Sequence, residues 1–111
     1  MAPMTERTAR PVISDAPERG RYEAHMDGEL AGVLEYVIKY GRLALVHTEV
    51  LPSHEGQGIG SALVRHGLDL ARANGLLVIA VCPYVQNYLV RHPEEDDIVV
   101  GRGNAAPDLS A

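Results

Sequence analysis

The chain of 111 residues contains no phenylalanine and no tryptophan. Leucine, valine, isoleucine and five tyrosines must therefore fill any core. At 46% apolar residues there is enough for one small core and too much for a disordered chain. A single cysteine, Cys82, excludes an internal disulfide and a zinc site built from several thiolates. No apolar run approaches the roughly 20 residues of a membrane span. The longest, Leu76 to Cys82, is strand-sized. Positive charge is also scarce: 10 Lys and Arg against 15 Asp and Glu leave a net charge of −5. That argues against binding nucleic acid or anionic membrane by bulk charge. His25, His54 and His66 show no ligand spacing, so no metal is expected. The stretch from Met1 to Ser14 lacks the apolar segment of a secretory signal, which makes a cytoplasmic location the expectation. A full doubly wound dinucleotide domain, a TIM barrel or a two-domain enzyme would each need more chain.

Residues 1–20 hold Pro3, Pro11 and Pro17 without a sustained period and read as a flexible leader, with Pro11 to Ser14 able to add a short edge strand. Residues 101–111 read as a flexible tail. Between them, 21–100 form the expected working domain. Tyr22, Ala24 and Met26 alternate with Glu23, His25 and Asp27, the pattern of a half-buried strand. Asp27-Gly28 signals a hairpin, Leu30 to Tyr40 the return strand, Tyr40-Gly41-Arg42 a second turn, and Leu43 to Leu51 a third strand. The period then changes. From Gly58 to Asn74, Ser61, Arg65, Asp69 and Arg72 make one polar stripe, with Arg65 and Asp69 spaced to pair. Ile59, Leu63, Gly67 and Leu70 face the other way. Asn74-Gly75 stops this helix. Leu76 to Cys82 reads as a strand buried on both faces, and Pro83 opens a short helix that Pro93 ends. The fold class is α+β: an antiparallel β-meander followed by a βαβ unit and a short C-terminal helix, in one mixed sheet.

A right-handed crossover between parallel strands puts the two helix starts at one sheet edge, where ligands of such sheets bind. Gly56 to Ser61, Glu49 and Cys82 should therefore surround one cleft. The segment Gly56-Gln57-Gly58-Ile59-Gly60-Ser61 lets backbone come close to a ligand and opens a helix whose free N–H groups favour an anion, best a phosphate or diphosphate. A Walker loop is excluded because Gly60 is followed by Ser61-Ala62 rather than Lys and Ser or Thr. The dinucleotide fingerprint fails because the spacing is G-x-G-x-G and the acidic partner is missing. The bland alternative is a turn that packs helix on sheet.

From about Tyr22 to Val99 the chain resembles the GNAT superfamily of acyl-CoA-dependent N-acyltransferases, most of all its small single-domain branch. The likeness rests on His47-Thr48-Glu49-Val50, on Gly56-Gln57-Gly58-Ile59-Gly60-Ser61-Ala62-Leu63-Val64, and on Cys82-Pro83-Tyr84-Val85 with Tyr88-Leu89 and His92-Pro93-Glu94. The resemblance implies acetyl-CoA as cosubstrate, with its diphosphate on the backbone of Gln57, Gly58, Ile59, Gly60 and Ser61. It also implies a pantetheine arm lying between the splayed ends of the third and fourth strands. Glu55 stands where the superfamily loop usually begins with Gln or Arg.

Acetyl transfer needs an uncharged nucleophile, a polarised thioester carbonyl and a proton for the departing thiolate. Cys82, at a strand end against a helix start, is a candidate covalent carrier; the plainer reading is a small core residue. Glu49 shares a face with Leu43, Leu45, His47 and Leu51 by strict alternation and is a candidate base. Tyr88 sits where the superfamily often places the tyrosine that protonates the leaving thiolate, and Tyr84, one turn earlier, reads as packing. Gln86 and Asn87 could touch the pantetheine amides, and their plainer reading is solvent exposure. The acidic run Glu94 to Asp97 reads as solvated, with some attraction for a basic acceptor. The expected function is transfer of an acetyl group from acetyl-CoA to an amine, small molecule or protein. The rivals are a non-catalytic CoA-binding module and an interaction domain.

Overall fold

The computed structural model describes residues 10–103. Six strands form one sheet in the order β1 to β6: Val12–Ala16, Arg21–Met26, Glu29–Lys39, Arg42–Val50, Leu77–Ala80 and Val99–Arg102. β1 to β4 are antiparallel neighbours, and β5 and β6 add on as parallel strands. Helix α1 (Ile59–Asn74) joins β4 to β5, and α2 (Pro83–Arg91) leads towards β6. The expected meander and βαβ unit are both present. β1 lies within 1–20, where Pro11 to Ser14 could add an edge strand, and β6 runs across residue 100 to Arg102. Residues 1–9 and 104–111 of the expected leader and tail lie outside the described residues.

Both crossovers step the same way across the sheet. Right-handed connections therefore place α1 and α2 on one face. One core forms there, joining Tyr22, Leu34, Leu43 and Leu45 of the sheet to Ile59, Leu63, Val64 and Leu68 of α1 and Val85, Tyr88 and Leu89 of α2. Each of those aliphatic side chains contributes about 1.5–3 kcal/mol by leaving water. Gly32 permits a close approach of helix to sheet, since a Cβ there would lie 2.9 Å from Ile59 Cγ2. A bare Cα in β3 thus seats the start of α1 on the sheet.

No helix among the described residues covers the opposite face. This corrects the expectation for Leu76 to Cys82. Val78 and Ala80 point into the core, but Leu77 is 40% exposed. The apolar run is buried on one face only.

β4 departs from strict alternation. Its pairing with β3 shifts between Glu35 and Tyr36: Tyr36 faces Leu45, Glu35 faces His47, and Val46 has no opposite number. This one-residue bulge reverses the phase of the strand. Leu43 and Leu45 face the helices before it, and Thr48 and Val50 do so after it. His47 and Glu49 consequently project to the opposite face, not to the face they were expected to share with Leu43 and Leu45. On α1, the expected Arg65–Asp69 pair does not form among the described residues. Arg72 instead reaches the turn before β6, at 2.9 Å from Glu95 and 2.7 Å from Asp97.

Candidate active site

The site lies where β4 and β5 part. Their parallel pairing ends at Leu45 and Ala80. The Leu45 carbonyl accepts from both Val81 and Cys82 N–H at 3.0 Å, and β4 then runs on to Val50 beside β3 alone. The bulge at Val46 turns β4 away just as β5 ends. At the end of β5 the Gln86 amide nitrogen donates to the carbonyls of Ala80 at 3.1 Å and Val81 at 3.0 Å, and Ala80 also accepts from Gly103 N–H at 3.1 Å. Gln86 is thus half-buried and engaged, not solvated.

Across the gap stands the start of α1. Gly56 and Gly58 hold φ of +80 and +78, which a side chain would strain, and no side chain caps the helix. The first bond at this end runs from Ala62 N–H to the Gly58 carbonyl at 3.1 Å. The N–H groups of Ile59, Gly60 and Ser61 precede it and have no partner within the helix. Ile59 and Gly60 line a cavity of about 270 Å³ together with Gly56, Gly58, Val50, Glu55 and Tyr84, and Ser61 follows at its edge. Among the described residues no lysine or arginine lines it, so an anion held here would rest on backbone dipoles and neutral groups. Gln57 does not line the cavity: its side chain turns to His54 Nδ1 at 3.1 Å, and His54 Nε2 lies 3.6 Å from Glu29. This pair ties the loop to the β2–β3 hairpin.

Of the expected cleft, Gly56, Gly58, Ile59 and Gly60 line the cavity, with Ser61 beside them through its contact to Tyr84. Glu49 and Cys82 are not in the cavity wall. Glu49 is on the opposite face, its side chain 64% exposed and 3.8 Å from His47. Cys82 is buried at the start of α2, with Sγ 3.4 Å from Thr48 Oγ1. The bulge creates that contact, because without it Thr48 would face away. Either atom can donate, and a hydroxyl at this place can support a thiolate. Tyr88 is buried and stacks on His92 at 4.2 Å between centroids, while Tyr84, read as packing, lines the cavity. Strict alternation hid Thr48, and nothing short of the strand pairing could have shown it. Gln86 and Tyr84 lay in plain view two residues apart on α2, but what they touch depends on where β5 ends.

The acidic run is already paired. Glu95 and Asp97 hold Arg72, Asp96 holds Arg102 at 2.6 Å, and Glu94 holds His92 at 2.9 Å. The His92 hydrogen bond keeps the Glu94 carboxyl below its usual range, and Arg72 does the same for Asp97. These acids fasten the C-terminal turn and leave little for a basic acceptor. Among the described residues no group of His, Cys, Asp and Glu is placed to hold a metal ion.

Comparison with known proteins agrees with this geometry. The sequence model of the GCN5-related N-acetyl-transferase family matches residues 21–98. Streptothricin acetyltransferase from Streptomyces lavendulae is 41% identical over 63 residues, 55% of this chain and 33% of that protein. The chain therefore spans about a third of the length of the curated relative it matches. The NMR structure of a GCN5-like candidate N-acetyltransferase from Staphylococcus aureus superposes with a TM-score of 0.63, covering 81% of this chain and 88% of that one at 22% identity. That likeness is one of fold. With the family match over residues 21–98, the parted β4 and β5 and the uncapped glycine-rich start of α1, the chain belongs to the GCN5-related N-acetyltransferase family.

Proposed function

We propose that this protein is an acetyl-CoA-dependent N-acetyltransferase acting on an amine. The observation that carries the reading is the uncapped start of α1 facing a cavity beside the gap between β4 and β5. The N–H groups of Ile59, Gly60 and Ser61 take the diphosphate of the donor. The edge of β4 from Val46 to Val50, which lacks a β5 partner, takes the pantetheine amides as an added strand would. The thioester then reaches the tip of β5, where Cys82 lies.

In the covalent form of the reaction, Cys82 Sγ attacks the thioester carbonyl. The Sγ–carbon bond forms, the bond to the CoA sulfur breaks, and the proton lost by Cys82 ends on CoA. Thr48 Oγ1 stands ready to hydrogen-bond the thiolate. A neutral amine next attacks the acetyl-cysteine, the carbon–nitrogen bond forms, and Sγ leaves with the amine proton. In direct transfer, Glu49 takes the amine proton from the opposite sheet face, and the amine enters through the same gap. Tyr88 is the proposed proton source for the CoA thiolate in that case.

Incubation with acetyl-CoA followed by intact mass measurement tests the covalent form. One added acetyl group, absent in Cys82→Ala, is the expected result. A Cys82→Ala protein with full turnover removes the cysteine and leaves direct transfer. A second reading, a CoA-binding module without catalysis, is favoured by the burial of Cys82 and by the position of Glu49 outside the cavity. It prevails if CoA binds but no amine in a broad panel consumes acetyl-CoA above background hydrolysis.

A further inference from the structure

The glycine motif and the Cys-Pro-Tyr segment are 22 residues apart in sequence when counted from Gly60 to Cys82, yet one side chain joins them. A Cβ built on Gly60 would lie 2.6 Å from the Tyr84 hydroxyl oxygen, 2.7 Å from Cζ and 3.0 Å from Cε1. Gly60 is inside α1 with ordinary helical backbone, so conformational freedom does not call for glycine there. Space does. The bare Cα is the seat on which the Tyr84 ring rests. From that seat the hydroxyl lies 3.3 Å from Ser61 Oγ, and Tyr84 forms a wall of the cavity. Tyr84 is the second residue of α2, whose N-cap is Cys82. It therefore spans the distance between the helix start that would hold a diphosphate and the helix start that carries the thiol.

The other wall groups sharpen the point. Val50 is apolar, and Glu55, the one charged side chain in the wall, repels an anion. Among the described residues Tyr84 is the one side chain lining the cavity that carries a hydroxyl proton to donate. We propose that Tyr84 is a donor-binding residue whose hydroxyl, with Ser61 Oγ beside it, hydrogen-bonds the diphosphate end of the acyl-CoA, and that Gly60 is glycine in order to seat it. The proposal rests on the reading of this cavity as the CoA site. It adds a ligand that the backbone amides alone do not supply, and it gives the third glycine of the loop a role other than closeness to the ligand.

The test uses Tyr84→Phe, which keeps the ring on its seat and removes only the hydroxyl. Calorimetry with CoA and with pantetheine, which lacks the diphosphate, separates phosphate contact from general damage. Loss of a hydrogen bond to a charged group should weaken CoA binding about tenfold. Pantetheine affinity and the melting temperature should stay unchanged. Equal CoA affinity in Tyr84→Phe overturns the assignment, as does an equal loss for CoA and pantetheine. The seat is tested separately, without any ligand, by a double-mutant cycle on thermal stability. Gly60→Ala should lower the melting temperature, and Tyr84→Ala should remove most of that penalty when combined with it. Additive penalties overturn the seating of Tyr84 on Gly60. If the unaltered protein binds no CoA, the cavity reading falls and the hydroxyl's role falls with it, whatever the cycle shows.

Discussion

Single side chains decide the electrostatics of this site. A cavity that no described lysine or arginine lines binds a diphosphate by dipoles, and Glu55 works against it from the wall. Coulomb repulsion between a partly exposed carboxylate and a diphosphate a few ångström away is of order 1 kcal/mol in a solvent-like medium. Replacing Glu55 with Gln should therefore tighten CoA binding by roughly threefold to tenfold. Titration calorimetry at low salt is the measurement, and the gain should shrink as added salt screens the repulsion in the unaltered protein. An unchanged or weaker affinity would show that Glu55 points away from the bound donor. The same scale explains why Cys82 stands apart from an ordinary core cysteine. Its sulfur meets a hydroxyl, and its backbone N–H closes the last rung of the β4–β5 ladder.

At the scale of elements, the meander was readable because both turns announce themselves. Asp27-Gly28 and Tyr40-Gly41 each place two consecutive residues at positive φ, which suits the twist of a hairpin. Helix α1 was readable from its stripe: Ile59, Leu63, Val64, Gly67, Leu68 and Ala71 are buried, and Gly75 takes the left-handed stop. The bulge at Val46 was not readable, because an extra residue betrays itself only against its partner strand. That one residue moved Glu49 out of the expected cleft and brought Thr48 to Cys82. The edge strands β1 and β6 are short, and their signal is weak beside the prolines and glycines that flank them. Arg72 supplies a prediction here. It binds Glu95 and Asp97 and so ties the end of α1 to the turn, Pro93–Ile98, that leads into β6. Arg72→Ala should speed amide hydrogen exchange in 93–102 by about tenfold or more while leaving β2 to β4 protected. Uniform exchange rates would mean that β6 is held by its pairing with β5 alone. CoA affinity should not change, since Arg72 lies at the end of α1 remote from its glycine start.

For the whole molecule, the buried and paired titratable groups predict how stability varies with pH. Hydrogen bonding from Arg21 holds the Glu23 carboxyl below its usual range, and Arg72 does so for Asp97. A lowered folded pKa means that the unfolded chain binds more protons in that interval. Stability is then complete above the ordinary carboxylate range and is lost as pH falls through the depressed values. The alkaline limb has the opposite sign and a different origin. Burial, aided by the charge of Asp15, pushes the Tyr22 phenol from its ordinary 10.0 up to about 12. Tyr36, half-buried and donating to Asp15 at 2.6 Å, is also raised. Their stabilising effect is present below pH 10 and disappears as pH rises through the folded values. Among the described residues the Tyr22 hydroxyl is also the one buried side-chain polar atom without a hydrogen-bond partner. An orphaned buried hydroxyl costs on the order of 1–3 kcal/mol, so Tyr22→Phe should raise stability at neutral pH by about 1 kcal/mol. It should also flatten the decline between about pH 10 and 12, because one of the two shifted phenols is gone. Urea unfolding at pH 7 and at pH 10.5 would read both effects. A destabilised Tyr22→Phe protein would mean that the hydroxyl has a partner, such as an ordered water, between β2 and His66 of α1, whose ring meets Tyr22 edge-on at 5.0 Å.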